Sequence, residues 1–385
     1  MTGRGFPEAD YRSRTARAQG AMQAAGLDAL LLTTAADIQY LSGFLTRFWE
    51  SPTRPWYLVL PASGLPVAVI PRIGAALMRQ SWLRDIRTWN APDPEDDGVS
   101  LLADTLAELV PGGGAIGVPG GPETRLHMPL RDWQRLRERL PRHRFIGGGG
   151  VMRRLRMIKS AAEIARIAAA CSVADRTFAR LPEIARPGAP LSDVFRRFQM
   201  LCLDEGADWV PYLAGAAGPD GYADVISPAT ERPLAAGDVL MLDTGLVREG
   251  YFCDFNRNVS LGPAGPALRG AHARLIEATA AGFDRARPGA TAADLFTAMD
   301  RVLTGGRSIK QAGRLGHGLG LQLTEPPSLL PSDRTPLEPG MVLTLEPVID
   351  LGAGRILVHE EDIVIRETGA EWLSSPYAAA MPELA

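Results

Sequence analysis

At 385 residues, with 46% hydrophobic and 22% charged side chains, the chain is long enough for two domains with substantial cores. Its 41 basic and 44 acidic residues leave a formal charge of −3, which argues against a general pull toward nucleic acid or an anionic membrane. Three widely spaced cysteines, Cys171, Cys202 and Cys253, form no CxxC pair, against a disulfide scaffold or a cysteine-built zinc site.

The opening "MTGRGFPEADYRSRTARAQG" has no apolar leader core, and no later run reaches the length of a membrane span, so a cytoplasmic location is expected. From Asp10 to Ala25 the spacing of apolar and basic residues predicts an amphipathic helix that stops near Gly26. "DALLLTT" follows as a buried strand. "PWYLVLP" and "PVAVIP" predict two strands joined by "ASGL", and "LLADTLAELV" predicts a helix. This alternation makes residues 1–150 a compact α/β domain that closes on "FIGGGG" at Gly150. Beyond it, Ser160 followed by Glu163 matches a capping box and opens a long helix. "LSDVFRRFQMLCLDEG", "LRGAHARLIEATAAGFDRARPG" and "AADLFTAMDRVL" read as further helices, interleaved with strand-like "DVLMLDTG", "MVLTLEP" and "EEDIVIRE". Helices mixed with hairpins make residues 151–385 an α+β domain, with no tandem repeat.

Within it, "MLDTGLVREGYFCDFNRN" reads as two strands turning through "VREG". A loop at Arg248 and Glu249 would set Asp243 directly opposite Asp254. A loop at Glu249 and Gly250 would make them diagonal neighbours on one face. The flanking "VLML" and "YFC" are apolar, and two carboxylates buried side by side call for a cation between them. Three more polar residues keep similar company: His317 between glycines in "GRLGHGLGLQLTEPP", Glu346 closing "GMVLTLEP", and Glu360 opening "EEDIVI". Singly, each has an ordinary explanation in packing or strand termination. Together, four carboxylates and one imidazole make a two-cation site suited to manganese, cobalt, iron or zinc.

The order Asp243, Asp254, His317, Glu346, Glu360, set in "LDTG", "CDFNRN", "GHGLG", "LEPGMVLTLEP" and "EEDIVI", resembles the pita-bread metallopeptidase superfamily. "IQYLSGF" early in the chain and "RMIKSAAEI" at the domain join resemble its aminopeptidase P, prolidase and creatinase branch, so the likeness spans nearly the whole chain. The resemblance implies a pita-bread domain over 151–385, behind a creatinase-type N-terminal domain over 1–150. It also implies two divalent metal ions, with Asp254 and Glu360 bridging them. Asp243 would complete one site, and His317 with Glu346 the other. Glu360 is preferred to Glu361 because the family's glutamate stands just ahead of an acidic residue. A metal pair of this kind generates hydroxide at neutral pH and polarises a scissile carbonyl, and Glu346 is placed to move the proton. The implied activity is hydrolysis of small peptides or amides, as in Xaa-Pro peptidases.

The chain departs from that branch at its accessory histidines, whose positions fall on Ile226, Gly313 and Thr324. This leaves Glu325 and His359 as candidates to replace the lost proton-transfer groups, with Thr324 and His359 also as substrate contacts, a packing role open for His359 and a loop role open for Glu325. The loop "LTRFWESPTRPWY" offers Arg47, Phe48 and Trp49, which in the creatinase branch would reach the partner's site in a homodimer; aromatic packing of the small domain is the other reading. Two further functions stay open. One is a metal-dependent lyase acting on a small zwitterion, similar to the superfamily's dimethylsulfoniopropionate lyase, although that enzyme has an aspartate where this chain has Gly245. The other is a non-catalytic binding protein of the same fold.

Overall fold

The computed structural model describes residues 5–50, 55–306 and 313–384, and the chain divides into two compact units, Met1–Arg156 and Met157–Ala385. The division falls one helix later than the glycine run at Gly150, because the turns of helix Val151–Met157 pack with the first unit.

In the first unit, helix Glu8–Ala24 buries Tyr11, Arg14, Thr15, Ala18 and Met22, the helical stripe expected from the sequence. A six-stranded sheet runs in the order Asp85–Trp89, Val67–Pro71, Tyr57–Pro61, Ala29–Leu32, Ala115–Val118, Arg144–Gly147. Tyr57–Pro61 pairs antiparallel with both of its neighbours, so the predicted "ASGL" turn closes a hairpin. Leu31, Tyr57, Val59 and Val69 of the sheet pack against Leu102 and Leu106 of helix Val99–Leu109. The Arg47 loop ends in the short turn Phe48–Glu50, where Trp49 packs against Phe44 at 5.9 Å and Trp56 at 5.5 Å. Trp49 therefore serves the aromatic packing of this unit; residues 51–54 of the same loop lie outside the described residues.

The second unit opens on the predicted capping box. The Ser160 side chain accepts from the Glu163 N–H, Glu163 accepts from the Ser160 N–H, and helix Ala161–Ala179 follows. Helices Leu191–Asp204, Pro266–Arg285 and Ala292–Thr304 appear where the sequence placed them. Two five-stranded sheets carry the chemistry. One runs Glu383–Leu384, Phe255–Leu261, Asp238–Arg248, Trp209–Pro219, with Tyr251–Phe252 also on Asp238–Arg248. The other runs Glu325–Ser328, His317–Gly318, Val342–Leu345, Glu361–Ile365, Ala370–Trp372. Leu343, Leu345, Ile363 and Ile365 pack against Leu295, Phe296 and Met299 of helix Ala292–Thr304, so the second sheet's polar edge is held against an apolar wall. The strand Trp209–Pro219 escaped the sequence reading: "WVPYLAGAAGP" has two prolines and several small residues in place of an alternating pattern. Among the described residues no helix is long and apolar enough to cross a membrane.

Candidate metal centre

Strand Asp238–Arg248 is buried almost from end to end, and its turn decides how the two aspartates face each other. Glu249 and Gly250 both have positive φ, 51° and 84°, and Arg248 pairs with Tyr251, so the loop has the two-residue form that suits a twisted hairpin. Of the two expected turns, this is the second. Asp243 pairs with Asn256, which makes Asp254 its diagonal neighbour, and both carboxylates are buried.

The other three donors come from the second sheet. Gly316 has φ 135°, and a Cβ there would lie 2.1 Å from the Thr344 carbonyl oxygen. Only glycine lets the chain ahead of His317 lie this close to strand Val342–Leu345. That strand pairs with Glu361–Ile365 through Leu345 opposite Glu361, so extending the register by one residue sets Glu346 across from Glu360. His317 Nδ1 donates to the Gly318 carbonyl at 2.9 Å, which turns Nε2 toward Asp254 Oδ2 at 3.4 Å. One donor atom from each of Asp254, His317 and Glu360 lies within 4.8 Å of the others. Thr344 Oγ1 donates to Glu360 Oε1 at 2.5 Å, and Tyr212 donates its hydroxyl proton to Asp243 Oδ2 at 3.0 Å. Among the described residues Asp243 Oδ1 is buried with no hydrogen-bond partner.

The electrostatics tie all five groups together. Burial, offset in part by hydrogen bonds from Tyr212 and Glu360, pushes Asp243 up to about 6. Burial and the Asp243 charge push Glu346 up to about 7. Asp254 and Glu360 are driven well above the carboxylate range, first by burial and then by acidic neighbours, Asp243 and Asp362 for Asp254, and Asp254 and Glu346 for Glu360. Burial and the Arg314 charge lower His317 to about 4, keeping the imidazole in the neutral form that ligates metals. Four crowded carboxylates, an oriented neutral imidazole and an orphaned oxygen on Asp243 fit hard or borderline divalent cations.

The neighbouring residues divide less as the sequence reading expected. Glu361 turns away from the cluster to Arg257 Nη2 at 3.0 Å and the Tyr377 N–H at 2.9 Å, which leaves Glu360 as the donor. His359 is not a substrate contact: it is buried on that same far side, 3.2 Å from Glu361 Oε1 and stacked on Tyr377, as strand alternation requires. Glu325 is not available for proton transfer either. Its Oε2 pairs with buried Lys159 Nζ at 3.3 Å, and its Oε1 accepts the N–H groups of Leu321 and Gln322. Lys159→Met should therefore cost about 3–5 kcal/mol, the range for breaking a buried pair. Urea unfolding checks this; a midpoint like that of the wild type would show that the pair contributes nothing. Ile226, at one accessory position, is 81% exposed. Thr324, at another, accepts from Arg314 Nη2 at 3.4 Å.

Four residues of the site were not singled out from the sequence: Tyr212, Thr344, Arg314 and Asp362. Asp362 is fully buried, and its Oδ2 accepts the Asp254 N–H at 2.9 Å and the Cys171 thiol at 3.3 Å, tying the two sheets together behind the cluster. Period-2 spacing carries the signal for two of them, since Asp362 follows Glu360 by two residues and Thr344 precedes Glu346 by two.

Residues 165–367 match the model of metallopeptidase family M24, and residues 14–158 match that of the creatinase/prolidase N-terminal domain. The chain belongs to metallopeptidase family M24. It is 34% identical over 378 residues to the "Probable dipeptidase PepE" of Mycobacterium tuberculosis, covering 96% of each chain. It is similar to the crystal structure of dipeptidase PepE from Mycobacterium ulcerans, with TM-score 0.84, 31% identity and 99% of each chain covered. A prolidase from Thermococcus sibiricus shares the fold at TM-score 0.86 and 24% identity, covering 97% of this chain and 99% of that one. The two units are thus a creatinase-type N-terminal domain and an M24 pita-bread domain, and the protein is a metal-dependent hydrolase.

Proposed function

We propose that the protein is a dinuclear metallopeptidase that hydrolyses small peptides, dipeptides first among them, with Xaa-Pro dipeptides as the starting class. The observation that carries this reading is the convergence of donor atoms from Asp254, His317 and Glu360, crowded by the charges of Asp243 and Glu346. The names of its relatives, a dipeptidase from Mycobacterium and an Xaa-Pro dipeptidase 30% identical over 234 residues from Pyrococcus furiosus, support the substrate class. Asp254 and Glu360 would be shared between two ions, with Asp243 on one side and His317 and Glu346 on the other. When bound, such a pair supplies an activated water at neutral pH and electrophilic pull on the scissile carbonyl.

The chain's own residues do the rest. The bond from His317 Nδ1 to the Gly318 carbonyl fixes the ring so that Nε2 faces the centre. Tyr212 and Thr344 hold one oxygen of Asp243 and one of Glu360, respectively, which fixes the orientation of both carboxylates. Glu346, the only one of the five that is not fully buried, is placed to carry a proton to the leaving amine. Manganese as the native metal, a cytoplasmic location and a homodimer whose Arg47 and Phe48 reach the partner's site belong to this same proposal.

Dialysis against a chelator should abolish dipeptide hydrolysis, and manganese or cobalt should restore it, with an amine and an acid as products. Activity untouched by chelator contradicts the reading, and an alkene product would point to the lyase instead. Against the lyase stands one observation: Glu325 is committed to Lys159.

A further inference from the structure

Beside the cluster stands a cation that the mechanism above does not use. Arg314 lies three residues before His317, on the segment that flanks the end of strand Val342–Leu345. The Leu315 carbonyl accepts the Glu346 N–H at 3.0 Å, and the Leu315 N–H donates to the Leu329 carbonyl at 3.0 Å. These two bonds fix the backbone from which the Arg314 side chain reaches Thr324. The guanidinium is half-buried, and among the described residues its one hydrogen-bond acceptor is Thr324 Oγ1 at 3.4 Å. It forms no ion pair with a carboxylate there, although its charge is felt at Asp254, Glu346 and His317.

That combination is unusual. A guanidinium carries five N–H donors in a rigid fork, and next to carboxylates it ordinarily closes on one of them in a bidentate pair. Here its charge is felt at two carboxylates, Asp254 and Glu346, and among the described residues it closes on none. Two divalent cations would balance the cluster's four carboxylates, and His317 is neutral, so among the described residues Arg314 is left without a counter-charge and with most of its donors unused. Its location has a second meaning. Arg314 adjoins Gly313 and touches Thr324, two of the positions where the branch's accessory histidines are missing.

We propose that Arg314 determines specificity by receiving a substrate carboxylate in its guanidinium fork, with Thr324 steadying the fork, so that the enzyme selects small peptides bearing a free carboxylate near the scissile bond. This rests on the dipeptidase reading and names the group on the substrate that the site selects. The carboxylate has two sources, the free C-terminus of a dipeptide or an acidic side chain.

The test uses the full-length, manganese-loaded protein and three substrates: Ala-Pro, its C-terminal amide, and the C-terminal amide of Ala-Glu. Wild type should prefer Ala-Pro over its amide by about 10–100-fold in kcat/KM, the range for hydrogen bonds to a charged group. Arg314→Gln should bring the ratio to within about threefold, mostly through KM, while Arg314→Lys retains part of it. Faster turnover of the Ala-Glu amide than of the Ala-Pro amide would assign the acidic side chain as the source. Calorimetry with free proline and prolinamide separates this proposal from the dipeptidase reading. If no dipeptide is cleaved but proline binds more tightly than prolinamide, in wild type only, the carboxylate fork stands and the peptidase reading falls. Equal treatment of acid and amide by wild type in both assays overturns the proposal. So does a full preference in Arg314→Gln, or loss of metal from that variant, which would make Arg314 part of the cluster's own charge balance.

Discussion

Asp254→Asn is expected to fold, to lose more activity than the about 10–100-fold that outer-shell substitutions cost at metal sites, and to resist rescue by added manganese. Asp254 supplies one of the three donor atoms that already lie within 4.8 Å of each other, so an amide there removes both a charge and a ligand oxygen. Its backbone is anchored independently of its carboxylate, through the N–H donated to Asp362 Oδ2, and the isosteric amide leaves that anchor in place. The sign of the stability change is opposite to that of the activity change. In the metal-free protein Asp254 is a buried carboxyl crowded by Asp243, Asp362 and Glu346, so a neutral side chain relieves strain that function requires. Metal-free Asp254→Asn should therefore melt higher than metal-free wild type at pH 8. A variant that melts lower, or that keeps wild-type turnover, contradicts this placement of Asp254.

The second large effect is a reversal of pH dependence on metal loading. Four carboxyls of the cluster have folded-state values raised above their unfolded ones: Asp243 to about 6, Glu346 to about 7, Asp254 and Glu360 well above. Asp362 behind them is raised as well. Where the unfolded chain has released these protons and the folded chain still holds them, the folded state binds more protons, so raising the pH destabilises it. Buried His272, His317 and His359 act in the opposite sense, but only below about pH 6.5, where an unfolded imidazole takes up its proton. Between pH 7 and 8.5 the carboxyls operate, joined toward the upper end by the buried thiols of Cys171, Cys202 and Cys253, whose raised values act in the same sense, and the Tm of metal-free protein should fall by about 5 °C or more. Metal needs the ionised carboxylates, so loaded protein should show a flat or rising Tm over the same range and should release protons on binding. A metal-free protein whose Tm rises with pH in this window would mean that the carboxylates are not crowded as described.

The sequence showed the site more clearly than its surroundings. Asp243 and Asp254 announced themselves because acidic residues inside apolar strands are costly unless something offsets them, and the register then made them diagonal neighbours. The turn was ambiguous because only backbone conformation, positive φ at Glu249 as well as Gly250, separates the two loops. Glu325 and His359 misled for a different reason: a carboxylate or imidazole near a site looks functional until its partners are seen. Those partners, Lys159 at 166 residues' separation and Glu361 with Tyr377 on the far face, are set by tertiary packing. Tyr212 was missed with its whole strand, since "WVPYLAGAAGP" lacks the alternation that marks one. Arg314 was hidden among many scattered arginines. Its distinction is a neighbourhood that lies between a glycine loop and the end of another strand.

The central claim is that Asp243, Asp254, His317, Glu346 and Glu360 hold two metal ions, and metal content per chain tests it most directly. Protein soaked in manganese and desalted is assayed by elemental mass spectrometry, with Asp254→Asn alongside. The account predicts about two ions per wild-type chain, as two-metal hydrolases hold, and fewer in the variant. No metal in either protein would contradict it and leave the crowded carboxylates without the cations that their burial demands.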